Sequence, residues 1–182
     1  MRLNTYGAAR MGRYLLLALG LVAAGCGDGN NPTSPSGTGP LVFTAELFAG
    51  NEVPLVTNFE SVAHGAVDIT MNVTRDASNN ITAATARFDI QLAGLAPNTT
   101  FVGAHIHPGV AGVAGPVIVS TTLSSGTPQI VQSGAATWVF ENINVPVATA
   151  QAMITNPSAF YFNVHSFSNP SGVARGQLRQ AR

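Results

Sequence analysis

From Leu41 onward, apolar and polar residues alternate with a period of two, the mark of strands with one buried face. Phe43, Ala45, Leu47 and Ala49 alternate with Thr44 and Glu46. Val67, Ile69, Met71 and Val73 alternate with Asp68, Thr70, Asn72 and Thr74. A turn cluster follows at 76–80, and then Ala84, Ala86, Phe88, Ile90 and Leu92 alternate with Thr85, Arg87, Asp89 and Gln91. This pair predicts a β-hairpin or meander. Further strand-like runs cover 101–107, 116–121, 135–141, 159–166 and 173–179. One short helix is predicted over 146–155, where helix-tolerant residues follow Pro146. Short strands separated by turn signals predict an all-β domain, an antiparallel β-sandwich or barrel, taken here as a single β-sandwich with one short helix.

Before Leu41 the alternation is absent. Arg2, Arg10 and Arg13 precede an apolar run over 14–24, and small residues lead into Cys26. The run is shorter than the roughly 20 residues of a spanning helix. A basic start, a short apolar stretch and small residues make a secretory signal. Val22-Ala-Ala-Gly-Cys26 resembles a bacterial lipobox, in which cleavage falls before a diacylated cysteine. Residues 1–25 are therefore expected to be a lipoprotein signal peptide, starting at Met1 or Met11, with Cys26 the lipidation site. An ordinary secretion signal with an incidental cysteine is the alternative. Residues 26–40 are rich in Gly, Pro, Ser and Asn and are expected to form a flexible tether. The folded domain is expected over 41–182.

Composition sharpens this picture. The 182 residues are 46% hydrophobic and 9% charged, with eight basic and eight acidic side chains. So many apolar residues argue against a wholly disordered chain. There is no lysine, and no cluster of arginines of the kind that neutralises phosphates, so no nucleic-acid partner is expected. A lone cysteine excludes a disulfide within the chain. Three arginines and no acid fall within residues 1–25, leaving five Arg against eight Asp/Glu, a net charge of −3. Such a chain does not attract anionic headgroups. The expected membrane contact is the acyl modification on Cys26, placing the protein in the bacterial cell envelope, periplasmic or surface-exposed. Its envelope or extracellular ligand is not identified.

Three of the four histidines sit in two unusual segments, 103–116 and 160–172. Side chains two apart on a strand share a face, roughly 6.5–7 Å apart. His105 and His107 therefore point one way, and Val102, Ala104 and Ile106 the other. In the second segment Tyr161, Asn163 and His165 oppose Phe160, Phe162 and Val164. If the two strands are neighbours, His105, His107 and His165 gather near Asn163. Three imidazoles suit copper or zinc, and three His with an open position occur in some catalytic metal sites. The alternative is a structural polar network, with the imidazoles anchoring the loop over 108–116. That loop holds no carboxylate, His64 stands apart, and no catalytic residue is assigned.

The same segments carry a family resemblance. Phe43-Thr-Ala-Glu-Leu-Phe-Ala-Gly-Asn-Glu-Val-Pro54 comes first. Ala104-His-Ile-His107, with Gly115-Pro-Val117, and Tyr161-Phe-Asn-Val-His165 follow. Asn169-Pro-Ser-Gly-Val-Ala-Arg-Gly-Gln-Leu178 closes the set. Together they resemble the CHRD domain family, named for chordin and found in many bacterial secreted proteins. Leu55, Ala174 and Ser166 depart mildly from its pattern. The resemblance implies an extracellular module of undefined biochemistry. In chordin such domains accompany cysteine-rich repeats that bind growth factors; this chain lacks them, so that role does not carry over. The spacing of His105, His107 and His165 is also similar to the copper ligands of copper-zinc superoxide dismutases. That implies a Greek-key sandwich, immunoglobulin- or superoxide-dismutase-like. The zinc loop is missing, so the implied site is copper-only or degenerate. Glu52, Asn163, Arg175 and Gln177 are read as structural motif residues, with Glu52 and Arg175 expected to form an ion pair joining the first and last strands. The function expected is a non-enzymatic binding or structural module, lipid-anchored in the envelope. The alternative is a copper or zinc protein using His105, His107 and His165, with superoxide-dismutase-like redox activity.

Overall fold

A computed structural model describes residues 39–181. The expected signal segment, Cys26 and nearly all of the tether lie outside the described residues. Ten strands follow in chain order: β1 (Leu41–Phe48), β2 (His64–Arg75), β3 (Ile81–Ala93), β4 (Thr99–Pro108), β5 (Val119–Ser120), β6 (Gln129–Val131), β7 (Ala135–Asn144), β8 (Phe160–Ser166), β9 (Ala174–Gln177) and β10 (Arg179–Gln180). The one α-helix, α1 (Val147–Thr155), begins directly after Pro146, as the sequence predicts. Among the described residues no helix is long and apolar enough to cross a membrane.

The all-β, antiparallel class is as expected. The strands are joined in one hydrogen-bonded sheet, ordered β5-β4-β8-β9-β1-β2-β3-β7, with β10 added on β1 and β6 on β4. Of the sandwich and the barrel, the structure is nearer the second: this single sheet coils into a nearly closed, barrel-like form. Phe88 of β3 meets Phe162 of β8 with ring centroids 5.8 Å apart. Phe101 of β4 meets Trp138 of β7 edge-on at 4.9 Å. Twist accumulated over many strands brings distant strands face to face, so one apolar face closes on itself.

The hairpin of β2 and β3 is held in register from His64↔Ala93 to Thr74↔Ala83. Its turn is pinned by Asp76 Oδ1, which accepts from the Ser78 and Asn80 backbone amides. The alternation predicted for β1, β2 and β3 is met: Phe43, Ala45, Leu47, Val67, Ile69, Met71, Phe88 and Ile90 are all buried. The alternation predicted for β4 fails at one end. Phe101, not Val102, joins Ala104 and Ile106 in the core. The β4–β8 register shifts between Phe101 and Gly103, and that bulge flips the facing of every residue before it. The run predicted over 173–179 is split into β9 and β10 by Leu178, which turns into the core. Only Val119 and Ser120 of the run over 116–121 pair as a strand, and β6 had no signal in the pattern.

β8 sits centrally and is buried along its whole length. One face holds Phe160, Phe162 and Val164 against the core. The other face is polar, yet it is also covered. Arg175 reaches Val110 O and Val113 O, and His165 bonds Pro170 O. Asn51 Nδ2 donates to Arg175 O. Three loops are thereby drawn over the polar face of β4, β8 and β9.

Phe88 is fully buried at the contact between the two halves of the sheet, whereas Phe167 is 63% exposed. Phe88→Ala is expected to cost about 3–5 kcal/mol in urea unfolding. Phe167→Ala is expected to stay within about 0.5 kcal/mol of the wild type. Similar costs for both would contradict the coiled-sheet core.

Candidate metal centre

Strand pairing builds the site as a grid. His105 lies opposite Asn163, His107 opposite Tyr161, and Gly103 opposite His165 across β4 and β8. On the far side of β8, Asn163 lies opposite Arg175 and Tyr161 opposite Gln177. The outer face therefore collects all the histidines of the two segments, as alternation requires. Their ring centroids are 4.8 Å apart for His105 and His165, 5.7 Å for His105 and His107, and 5.9 Å for His107 and His165. One ring nitrogen from each lies within 4.8 Å of the other two, with no carboxylate in the group. Gly103 makes room for this. A Cβ there would sit 2.8 Å from His105 Cε1 and 3.3 Å from His165 Cδ2.

Hydrogen bonding decides which nitrogens face inward. His107 Nδ1 lies 3.0 Å from Gly115 O, and His165 Nδ1 lies 3.0 Å from Pro170 O. A carbonyl only accepts, so in each ring Nδ1 carries the proton and Nε2 keeps a lone pair. Both Nε2 atoms are buried without a hydrogen-bond partner, as is His105 Nδ1. Burial, then the neighbouring His165 and His107, pushes His105 down to about 4. Burial likewise lowers His107 and His165. All three rings are thus neutral near neutral pH, the form that binds metal.

This donor set fits a metal ion. Histidine ligands that donate their second nitrogen to a carbonyl are held in tautomer and orientation. Zinc–nitrogen bonds of about 2.0–2.1 Å set tetrahedral donors roughly 3.4 Å apart. The separations here extend to 4.8 Å, so ligation requires the rings to close inward. Copper and zinc both accept three imidazoles. The loop-anchoring alternative is realised for one nitrogen of His107, which bonds Gly115 O, while its Nε2 has no hydrogen-bond partner. His64 stays apart, exposed and bonded through Nδ1 to Val62 O at 2.9 Å.

The expected ion pair between Glu52 and Arg175 is not among the salt bridges of the described residues. Arg175 Nη2 is instead committed to Val110 O at 3.0 Å, Val113 O at 2.8 Å and Gln177 Oε1 at 3.4 Å. Its guanidinium lies 3.4 Å over the Tyr161 ring. Backbone carbonyls of the 108–116 loop and an aromatic face thus take the place of the carboxylate. The tie between the two strands exists, but through Phe48↔Arg175 pairing and Asn51. Gln177 Nε2 donates to Gly109 O, Ser158 O and Phe160 O, so it fastens the start of the loop.

Sequence reading missed several participants. Tyr161 stacks on His107 at 4.8 Å, with its hydroxyl accepting from Gly115 N at 3.1 Å. Its place on the polar face of β8 was the available signal. Glu60 is fully buried; its Oε2 accepts from Ser166 Oγ at 2.7 Å and from Asn169 Nδ2. That bond set locks the 58–60 loop to the 166–169 turn beside His165, and nothing in the local pattern marked it. Glu52 packs against Gly172, where a Cβ would lie 2.4 Å from both carboxylate oxygens at a φ of +140°.

Burial pushes the Glu52 carboxyl up to about 7, outweighing Asn163, Arg175 and the Val53 amide, which pull it down. The folded state therefore keeps a proton that the unfolded chain has released, over the window from about 4.5 to about 7. Extra proton binding by the folded state means that stability falls as pH rises through that window. Wild type is expected to lose stability relative to Glu52→Gln between about pH 5 and about pH 7 in urea titrations, and to hold level above it. The depressed imidazoles act with the opposite slope but are common to both proteins. A constant difference across that range would refute the assignment.

The CHRD domain family model matches residues 43–178. No curated protein and no solved structure matches the chain. The match spans β1 to β9 and takes in every residue of the histidine grid. The chain belongs to the CHRD domain family.

Proposed function

We propose that this protein is a lipid-anchored bacterial envelope protein whose CHRD domain is a non-enzymatic module holding one copper or zinc ion. The ligands are His105, His107 and His165. One observation carries the metal reading. Each of the three histidines has one buried ring nitrogen without a hydrogen-bond partner, and one ring nitrogen from each lies within 4.8 Å of the others. A buried, unsatisfied polar atom is costly, and a single cation would satisfy all three. The anchoring reading is supported by the basic and apolar run before Cys26 and by the Gly/Pro/Ser-rich segment after it. Bound metal would bring Lewis acidity or a redox couple to the outer face of β4 and β8. The chain itself supplies orientation: Gly115 O and Pro170 O fix two rings, and the 108–116 loop covers them.

Metal analysis of the purified full chain after reconstitution with zinc or copper(II) is expected to give about one ion per chain. His105→Ala and His165→Ala should each abolish it, while His64→Ala should leave it unchanged. Below about 0.1 ion per chain, with no effect of His105→Ala, the metal reading fails. For the anchor, Cys26→Ala is expected to prevent incorporation of labelled fatty acid and to shift the protein from the membrane to the soluble fraction. Equal labelling of both proteins would defeat it.

A further inference from the structure

A second site lies beside the histidines, independent of any metal. A cavity of about 300 Å³ opens between Gly50, Asn51 and Glu52 on one side, Gly112 on another, and Arg175 and Gln177 on the β9 side. That volume is at the small end of ligand cavities. Its two charged lining residues are Glu52 and Arg175, which are only 5% and 2% exposed.

The charge balance of this cavity is uneven. Buried cations are normally paired with a carboxylate, yet Arg175 and Glu52 form no ion pair. The Arg175 guanidinium meets Val110 O, Val113 O and Gln177 Oε1 through Nη2, none of them a carboxylate. Glu52 Oε1 is buried with no partner. Burial raises the Glu52 carboxyl to about 7, so below that pH it does not balance the guanidinium charge. A guanidinium with no carboxylate partner and a carboxyl with one unpartnered oxygen line a space that protein atoms do not fill.

We infer that this cavity binds a small organic monocarboxylate, with Arg175 as its cationic anchor and the Glu52 carboxyl as the partner of its second oxygen. A monoanion matches the single cation lining the cavity. A dianion such as phosphate would leave one charge uncompensated against Glu52. A cation would face the guanidinium directly.

The test uses the purified full chain with a chelator present, so that no carboxylate is held through a metal. Calorimetric titration with acetate and propionate is expected to show saturable binding at one site. Inorganic phosphate and methylammonium are expected to bind at least about tenfold more weakly, the scale of one charge-assisted hydrogen bond. Gly50 offers a blocking position, because a Cβ added there meets no atom within 4 Å. Gly50→Leu is expected to reduce carboxylate affinity by about tenfold or more while leaving the thermal unfolding midpoint near the wild-type value. Arg175→Lys should also weaken binding, since a point charge replaces the planar donor set. No saturable carboxylate binding, equal or tighter binding of phosphate, or an unchanged affinity in a folded Gly50→Leu protein would each overturn the site. None of these outcomes depends on whether zinc or copper occupies the histidines.

Discussion

Antiparallel pairing of β4 with β8 carries the rest of the architecture. It sets Gly103 opposite His165 and His105 opposite Asn163. The absent side chain at residue 103 leaves the volume that the His105 and His165 rings occupy. A slip of one residue would exchange the two faces of β4, turning the imidazoles into the core and Ile106 out of it. The bulge between Phe101 and Gly103 keeps Phe101 inside while the histidines remain outside. The apolar core and the polar site are thus two consequences of one register.

The outer face would be an ordinary wet sheet surface if the loops did not close over it. Covering it buries Asn163, His107, His165 and Arg175. Burying polar groups costs free energy unless they are satisfied. Most of the grid meets that demand with backbone carbonyls: Gly115 and Pro170 for histidines, Val110 and Val113 for the guanidinium. The exceptions are confined to the inward nitrogens, Asn163 Oδ1, Glu52 Oε1 and Glu60 Oε1. The unpartnered ring nitrogens thus fall together on the covered face of β4 and β8.

Charge scarcity gives the few ionisable groups unusual weight. Glu52 and Arg175 share a cavity yet do not pair, because the guanidinium is drawn to the 108–116 loop and to Tyr161. Arg175 therefore fastens the loop that covers His107. Glu52 stays close enough to feel Arg175 and Asn163 but is governed by its burial. The metal reading and the carboxylate reading use different atoms of one covered face, with Asn163 between them.

By itself the sequence determined the strands of the first half, the short helix, the facing of the histidines and the family. All of these rest on short-range information: the period of two along a strand, Pro146 before a helix, and motifs in fixed order. Phe43, Val67 and Phe88 are legible as core because a strand has only two faces. What only the tertiary structure decided depends on partners far away in the chain. The bulge that chose Phe101 over Val102 arises in pairing with β8, some 60 residues later in sequence. The choice of one coiled, barrel-like sheet over a stacked sandwich follows from which strands share edges. The rejection of the Glu52–Arg175 ion pair follows from loop carbonyls that reach the guanidinium first. The inward lone pairs of His107 and His165 are set by carbonyls on two loops, and no local pattern encodes where those loops fold back.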